Sequence, residues 1–168
     1  GLAMDEHGPE KFVFGFEESL GYLAGDFARD KDAAVGALYL AELAAELAQD
    51  GRTLLDRLDE LYSEHGYFNE RQRSDYAYGP TGKELITGLM AKLRHEPPAV
   101  LGGVTLSRVD DYQAHETRKL PGNSKTEDLP QPQGNLLIFH GEHEDCRIRF
   151  AARPSGTEPK IKFYLFAE

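Results

Sequence analysis

Arg153, Ser155, Thr157, Lys160 and Lys162 fall within ten residues, in the run Arg153-Pro154-Ser155-Gly156-Thr157-Glu158-Pro159-Lys160-Ile161-Lys162. A guanidinium, two hydroxyls, a glycine and two ammonium groups are the equipment for holding a phosphate. Arg153 offers a planar fork of donors. Ser155 and Thr157 are short donors, and Gly156 leaves room for backbone N–H groups to close around an anion. Pro154 and Pro159 stiffen the turn, so less entropy is lost when a ligand is ordered on it. The flanks alternate as strands do: Cys146, Ile148 and Phe150 against Arg147 and Arg149 on entry, and Ile161, Phe163 and Leu165 on exit. From composition alone, most R-P-S-G stretches are ordinary Pro/Gly turns with scattered surface charge.

A second constellation is Gly15-Phe16-Glu17-Glu18-Ser19-Leu20-Gly21-Tyr22, followed by Arg29-Asp30-Lys31-Asp32. Phe12-Val13-Phe14 is a short β-prone run, the E-E-S segment is a loop after it, and a helix opens near Asp30 or Asp32. Carboxylates and hydroxyls on a loop at a strand end suit a diol, whose hydroxyls both donate and accept. A solvated acidic loop is the plainer alternative. Arg29 and Lys31 lie at a helix start, where the dipole disfavours cations. A nearby anion would account for them, as would ion pairs with Asp30, Asp32 or Glu18.

The full string R-P-S-G-T-E-P-K-I-K-F-Y closely resembles the phosphate-binding loop of the α-D-phosphohexomutases, and G-F-E-E-S-x-G-Y…R-D-K-D resembles the sugar-binding loop of the same superfamily. That superfamily joins phosphoglucomutase, phosphomannomutase, phosphopentomutase and phosphoglucosamine mutase. The glucosamine branch carries a G-E-Q-S-G-H type of loop, so F-E-E-S-L-G favours the phosphoglucomutase and phosphopentomutase branch. The resemblance implies that Arg153, Ser155, Gly156, Thr157 and Lys162 anchor the substrate's non-reacting phosphate, with Lys160 secondary. It implies that Glu17 and Ser19 hold sugar hydroxyls.

The same resemblance implies a four-domain parent that interconverts sugar 1-phosphate and 6-phosphate through a phosphoserine and a sugar bisphosphate. The phosphoserine belongs to the first domain, and magnesium to a D-x-D-x-D loop of the second. Neither a T-A-S-H-N-P nor a D-G-D-x-D type of segment occurs in this sequence. No catalytic residue and no metal ligand is therefore assigned here. Ser19 and Ser155 lack a neighbouring base at motif spacing and read as ligand-binding hydroxyls. The chain is expected to bind a phosphosugar beside the remaining mutase domains, without turnover of its own. Phosphopentomutase, sugar-bisphosphate synthase and a free-standing sugar-phosphate-binding module are the alternatives.

A formal charge of −10 over 168 residues argues against nucleic acid and anionic membranes. Basic residues instead concentrate between Arg147 and Lys162. No signal peptide or membrane-length apolar run is visible, and the expected compartment is the cytoplasm. Cys146 excludes an internal disulfide and, by its alternation with Ile148 and Phe150, reads as a buried thiol. His140 and His143 match no metal-site spacing and read as a polar hairpin tip.

The elements that must position these residues divide the chain into three. Residues 1–50 read as the end of the third, sugar-binding α/β domain, a largely helical remnant with a helix over about 31–49. Residues 51–79 read as a helical linker: Thr53 and Asp56 cap a helix ended by Gly66, and Phe68 to Tyr78 forms a polar, aromatic connection. Residues 80–168 read as the fourth, phosphate-binding domain, lacking its last helix. This part is α+β, a mostly antiparallel four-stranded sheet backed by one helix. The helix opens on a Thr81–Glu84 capping box and presents Leu85, Ile86, Leu89, Met90 and Leu93. Its strands are expected at 104–109, 136–140, 146–152 and 161–166, with loop from Thr117 to Gly134. The expected core is Leu85, Leu89, Leu93, Leu137, Phe139, Ile148, Phe150 and Ile161.

Overall fold

A computed structural model describes residues 2–17, 19–26, 30–130 and 133–168. Arg29 and Glu18 lie outside the described residues. Two compact units divide between His65 and Gly66.

The first unit opens with α1 (Leu2–His7), which ends at Gly8 with φ +89°, and a single 3-10 turn over Pro9–Lys11. A hairpin of β1 (Phe14–Glu17) and β2 (Gly21–Ala24) follows, with Glu17 opposite Gly21. Helix α2 spans Ala33–Gln49, and the Asp32 carboxylate caps it by accepting from the Val35 N–H at 2.9 Å. Gly36 lets β2 lie against α2: a Cβ there would sit 2.5 Å from the Tyr22 ring. Only Ala24 and Leu47 are buried apolar residues among those described in this unit, and α2 leaves Leu38, Tyr39, Leu40 and Leu43 exposed. Of Leu40, Leu43 and Leu47, which the helical spacing puts on one face, only Leu47 is buried. Helix α3 (Leu54–His65) begins as its sequence requires. The Asp56 carboxylate accepts from both the Thr53 N–H and hydroxyl at 2.7 Å, and the Thr53 hydroxyl accepts from the Asp56 N–H at 3.2 Å.

The second unit is α+β and antiparallel, as expected, but its sheet has eight strands rather than four. They are β3 (Asn69–Tyr76), β4 (Val100–Leu101), β5 (Val104–Asp111), β6 (Glu116–Lys119), β7 (Ser124–Asp128), β8 (Leu137–His143), β9 (Cys146–Pro154) and β10 (Lys160–Ala167). Their order is β3-β10-β9-β8-β5-β6-β7, with β4 also on β5. The four expected strands form its middle. Phe68 to Tyr78, read as a connection, supplies the edge strand β3, and the expected loop from Thr117 contains β7 and most of β6. Both β3 and β7 are edge strands and largely polar (N-E-R-Q-R-S-D-Y and S-K-T-E-D), so neither carries the apolar alternation of a half-buried strand.

Helix α4 (Gly82–His95) covers one face of this sheet. Thr81 makes no side-chain capping bond, contrary to the expected box, because it is already in a helical conformation at φ −91°, ψ −1°. The helix stops at Glu96, one residue before Pro97. Its buried face is Ile86 and Met90, with Leu93 partly covered, whereas Leu85 is 65% exposed and Leu89 is also exposed. Those two leucines sit one turn apart on the solvent side of the same helix. The core they were expected to join consists of Ile86, Met90, Val104, Leu106, Val109, Leu120, Leu137, Phe139, Ala152 and Ile161, with Ile148, Phe150 and Phe163 at its margin. Cys146 shares the inner face with Ile148 and Phe150 but is exposed, because it ends β9 at the hairpin tip, past the edge of that core.

Asp111 joins helix to sheet. Its buried carboxylate takes hydrogen bonds from Arg94 at 3.2 Å, Arg118 at 3.1 Å and the Gln113 and Ala114 N–H groups. Arg118 and Asn123 also donate to the Arg94 carbonyl, and Asn123 to that of His95, so the last two carbonyls of α4 are satisfied.

Candidate phosphate-binding turn

The inner face of β9 and β10 carries Ala152 and Ile161, and the outer face therefore presents Arg153 and Lys162. Arg153 and Lys162 are direct cross-strand partners, and Lys162 is in turn the partner of Ser74 on β3. The three form one row across three strands. Two residues along β10, Lys160 shares the face of Lys162 and partners Tyr76.

The turn between these strands, residues 155–159, is held by its own backbone. The Ser155 N–H donates to the Lys160 carbonyl at 2.9 Å, and the Lys160 N–H to the Glu158 carbonyl at 2.8 Å. The Ser155 hydroxyl oxygen accepts from the Glu158 N–H at 3.3 Å, which leaves its own hydrogen to donate elsewhere. Gly156 and Thr157 are exposed. Beyond its two chain neighbours, no described residue lies within 4 Å of where a Gly156 Cβ would stand, and its backbone is not left-handed. The fold itself therefore makes no demand for glycine at this position.

Lys160 is ion-paired with Glu158, which holds its ammonium above its usual pKa, and it lies 5.5 Å over the Tyr76 ring. Arg153 is exposed and makes no hydrogen bond or ion pair with any described residue. The turn thus brings together Arg153, Ser155, Gly156, Thr157 and Lys162, with Arg153 uncommitted.

Glu17 and Ser19 lie in the other unit, at the β1–β2 hairpin: Glu17 ends β1, and Ser19 is in the turn before Leu20, whose φ is +62°. Lys31 Nζ is 3.1 Å from Glu17 Oε1, and the Tyr22 N–H donates to the Asp32 carbonyl at 2.9 Å. The start of α2 therefore packs beside the hairpin, and its Lys31 fixes the Glu17 carboxylate.

Two polar groups escaped the sequence reading. His140 is not at the hairpin tip but within β8, on the outer face, 2.7 Å from Asp110; Arg108 and Thr117 also bond that carboxylate at 3.1 and 2.8 Å. Burial alone would push Asp110 up, but its bonds from His140 and Thr117 and the neighbouring charges outweigh it, holding the carboxyl below its usual range. The second group is the stacked pair Tyr76 and Tyr78, whose intervening Ala77 N–H donates to the Pro159 carbonyl of the turn at 2.9 Å. The motif Tyr-Ala-Tyr, alternating across a turn, is its one signal in the sequence.

Among the described residues, no three His, Cys, Asp or Glu side chains gather as a metal site, and no helix is long and apolar enough to cross a membrane. The magnesium implied by the resemblance has no set of holders among the described residues.

Nearly the whole length of the chain aligns with part of known proteins. Among solved structures, pp63/parafusin from Paramecium, a phosphoglucomutase in its open form, aligns over 98% of this chain and 26% of its own, at 13% identity and a TM-score of 0.47. The alpha/beta/alpha domain III family of phosphoglucomutase/phosphomannomutase matches residues 2–65. A phosphoglucomutase of Staphylococcus haemolyticus is 38% identical over 161 residues, 93% of this chain and 28% of its own length. Those of Staphylococcus epidermidis and Staphylococcus aureus are 36% and 34% identical, and this chain again spans 28% of each. The first unit is thus matched by the domain III family, and nearly the whole length of the chain is similar to a stretch of these phosphoglucomutases.

Proposed function

We propose that this chain is the substrate-binding, C-terminal portion of a phosphoglucomutase-type enzyme, an isomerase that moves a phosphoryl group between the 1- and 6-positions of a sugar. The observation that carries the reading is the cross-strand pair of Arg153 and Lys162 beside an exposed hydroxyl turn. Like charges directly opposite on a sheet are unfavourable. A dianionic phosphate between them turns that repulsion into two charge-assisted contacts, to which the Ser155 and Thr157 hydroxyls add. The open space at Gly156 suits close approach by a ligand.

Glu17 and Ser19 are the proposed partners of the sugar hydroxyls. Lys31 orients the Glu17 carboxylate, whose oxygens can accept from a diol. Holding one phosphate and the ring hydroxyls fixes which end of the substrate is presented for reaction, and positioning is the larger part of phosphoryl-transfer catalysis. The phosphoserine and its magnesium, which would supply the transferred group and neutralise its charge, are assigned to other domains of the parent. This chain alone is accordingly silent in catalysis, and a sugar bisphosphate is a ligand rather than a product for it.

An NMR titration tests the assignment. Inorganic phosphate and glucose 6-phosphate are expected to shift the amides of residues 155–157 and 162. Shifts confined to another region would remove the anchor.

A further inference from the structure

The anchor turn is not alone at its end of the sheet. Tyr76 closes β3 on the outer face, opposite Lys160 and one row away from Lys162 and Arg153. Rows on one face of a strand are about 7 Å apart. Tyr76 and Tyr78 stack with ring centroids 5.6 Å apart and planes 8° from parallel. They nonetheless remain 47% and 79% exposed.

The segment that carries them is held from both sides. The Ala77 N–H donates to the Pro159 carbonyl of the anchor turn. On the other side, the Ala77 carbonyl oxygen approaches α4 so closely that a Cβ on Gly82 would lie 1.7 Å from it, a contact only glycine permits. The segment between the two rings is thus held by backbone and tied to the phosphate turn, and both rings are exposed. An aromatic face kept rigid and wet beside an anion site is preorganised for the apolar face of a ring.

We infer that Tyr78, supported by Tyr76, is a stacking platform for the C–H face of the sugar whose phosphate the turn holds. The inference rests on the phosphate-anchor reading and adds the second contact of the same ligand. A hexose phosphate offers both parts: a dianion for Arg153 and Lys162, and a saturated ring with apolar C–H bonds a short step along β10. Lys160, pinned by Glu158 over Tyr76, keeps the lower ring of the pair in place. Tyr78 touches ligand without acting on the reacting atoms, so its role is positioning and selection of sugar over bare phosphate.

The experiment compares two probes on the whole chain, inorganic phosphate and glucose 6-phosphate, by NMR titration of the wild type, Tyr78→Ala, Tyr78→Phe and Arg153→Ala. Tyr78→Ala is expected to leave the affinity for inorganic phosphate within twofold while weakening glucose 6-phosphate by roughly three- to tenfold. Tyr78→Phe keeps the stacking face and is expected to bind both probes as the wild type does. The Tyr78 ring protons should shift with glucose 6-phosphate and not with inorganic phosphate, and Arg153→Ala should weaken both probes. Equal weakening of both probes in Tyr78→Ala would show a structural effect on the turn and overturn the platform. Unchanged binding of both would overturn it also, with the anchor intact. Failure of inorganic phosphate to bind at residues 155–157 of the wild type would bring down the anchor reading and the platform together.

Discussion

Arg153 and Lys162 face each other directly across β9 and β10, on the side of the sheet away from α4. Two cations in this register repel when the site is empty and cooperate when an anion lies between them. Stability and binding should therefore respond to Arg153 in opposite directions. Arg153→Ala is expected to leave the ligand-free chain equally stable or more stable by about 0.2–1 kcal/mol. A charge-assisted hydrogen bond contributes about 1.5–3 kcal/mol, so the same change should weaken phosphate binding by roughly one to two powers of ten. Arg153→Lys keeps the charge without the fork and should lose less. Urea unfolding and phosphate titration of both variants check this. A destabilised Arg153→Ala that still binds phosphate normally would contradict both halves.

The turn was legible because its chemistry is local: guanidinium, hydroxyls and glycine follow one another in ten residues, and the flanking alternation of Ile148, Phe150, Ile161 and Phe163 sets the strands. What the sequence hid depends on residues far apart. The edge strand β3 alternates no apolar residues, because its outer face is polar and its inner face carries Arg71, Arg73 and Asp75. Its place is set by pairing with β10. The capping reading succeeded at Thr53 and failed at Thr81 for a physical reason. Thr81 is already helical, and a side chain caps only from extended backbone. Likewise, spacing puts Leu85, Ile86, Leu89, Met90 and Leu93 on one broad stripe of α4 and cannot say which edge of it the sheet covers; Ile86 and Met90 are buried, and Leu85 and Leu89 are exposed.

Asp111 should be the residue whose loss the second unit tolerates least. Its carboxylate is 1% exposed and faces Arg94 and Arg118, both of which also serve the end of α4. Removing one partner of a buried ion pair leaves the others uncompensated, at a cost of about 3–5 kcal/mol. Asp111→Ala is expected to lower the unfolding free energy of this unit by that amount, read from urea unfolding. Asp128→Ala, whose partner Lys125 is exposed at the edge, should barely move that stability.

Asp110 gives the fold an acid-sensitive component. Hydrogen bonds from His140 and Thr117 hold its folded-state pKa below the unfolded value. The unfolded chain therefore binds the proton first as pH falls, and stability from this group is full above about pH 4 and lost below it, through the folded pKa. Asp110→Asn should remove this part of the acid slope while the remaining carboxylates keep theirs. Chemical unfolding between pH 2.5 and 6 measures it. A slope identical to that of the wild type would place the acid sensitivity elsewhere.

Hydrogen exchange should separate the two units. In the second, Val109, Leu137, Phe139 and Ala152 are fully buried at 0% exposure on three adjacent strands, so opening there requires loss of the whole core. In the first, only Ala24 and Leu47 are buried among the apolar residues described, and α2 carries Leu38, Tyr39 and Leu40 into solvent. Helix α2 is well capped at Asp32, yet a cap adds only about 1 kcal/mol and cannot replace a buried face. The amides of β8 and β9 should therefore exchange slowest, near the global unfolding rate, and those of α2 faster through local opening. Asp32→Ala should accelerate exchange in α2 without moving β8 or β9. Strongest protection before Asp50, with little after Gly79, would reverse the order and show that the first unit is the more stable of the two.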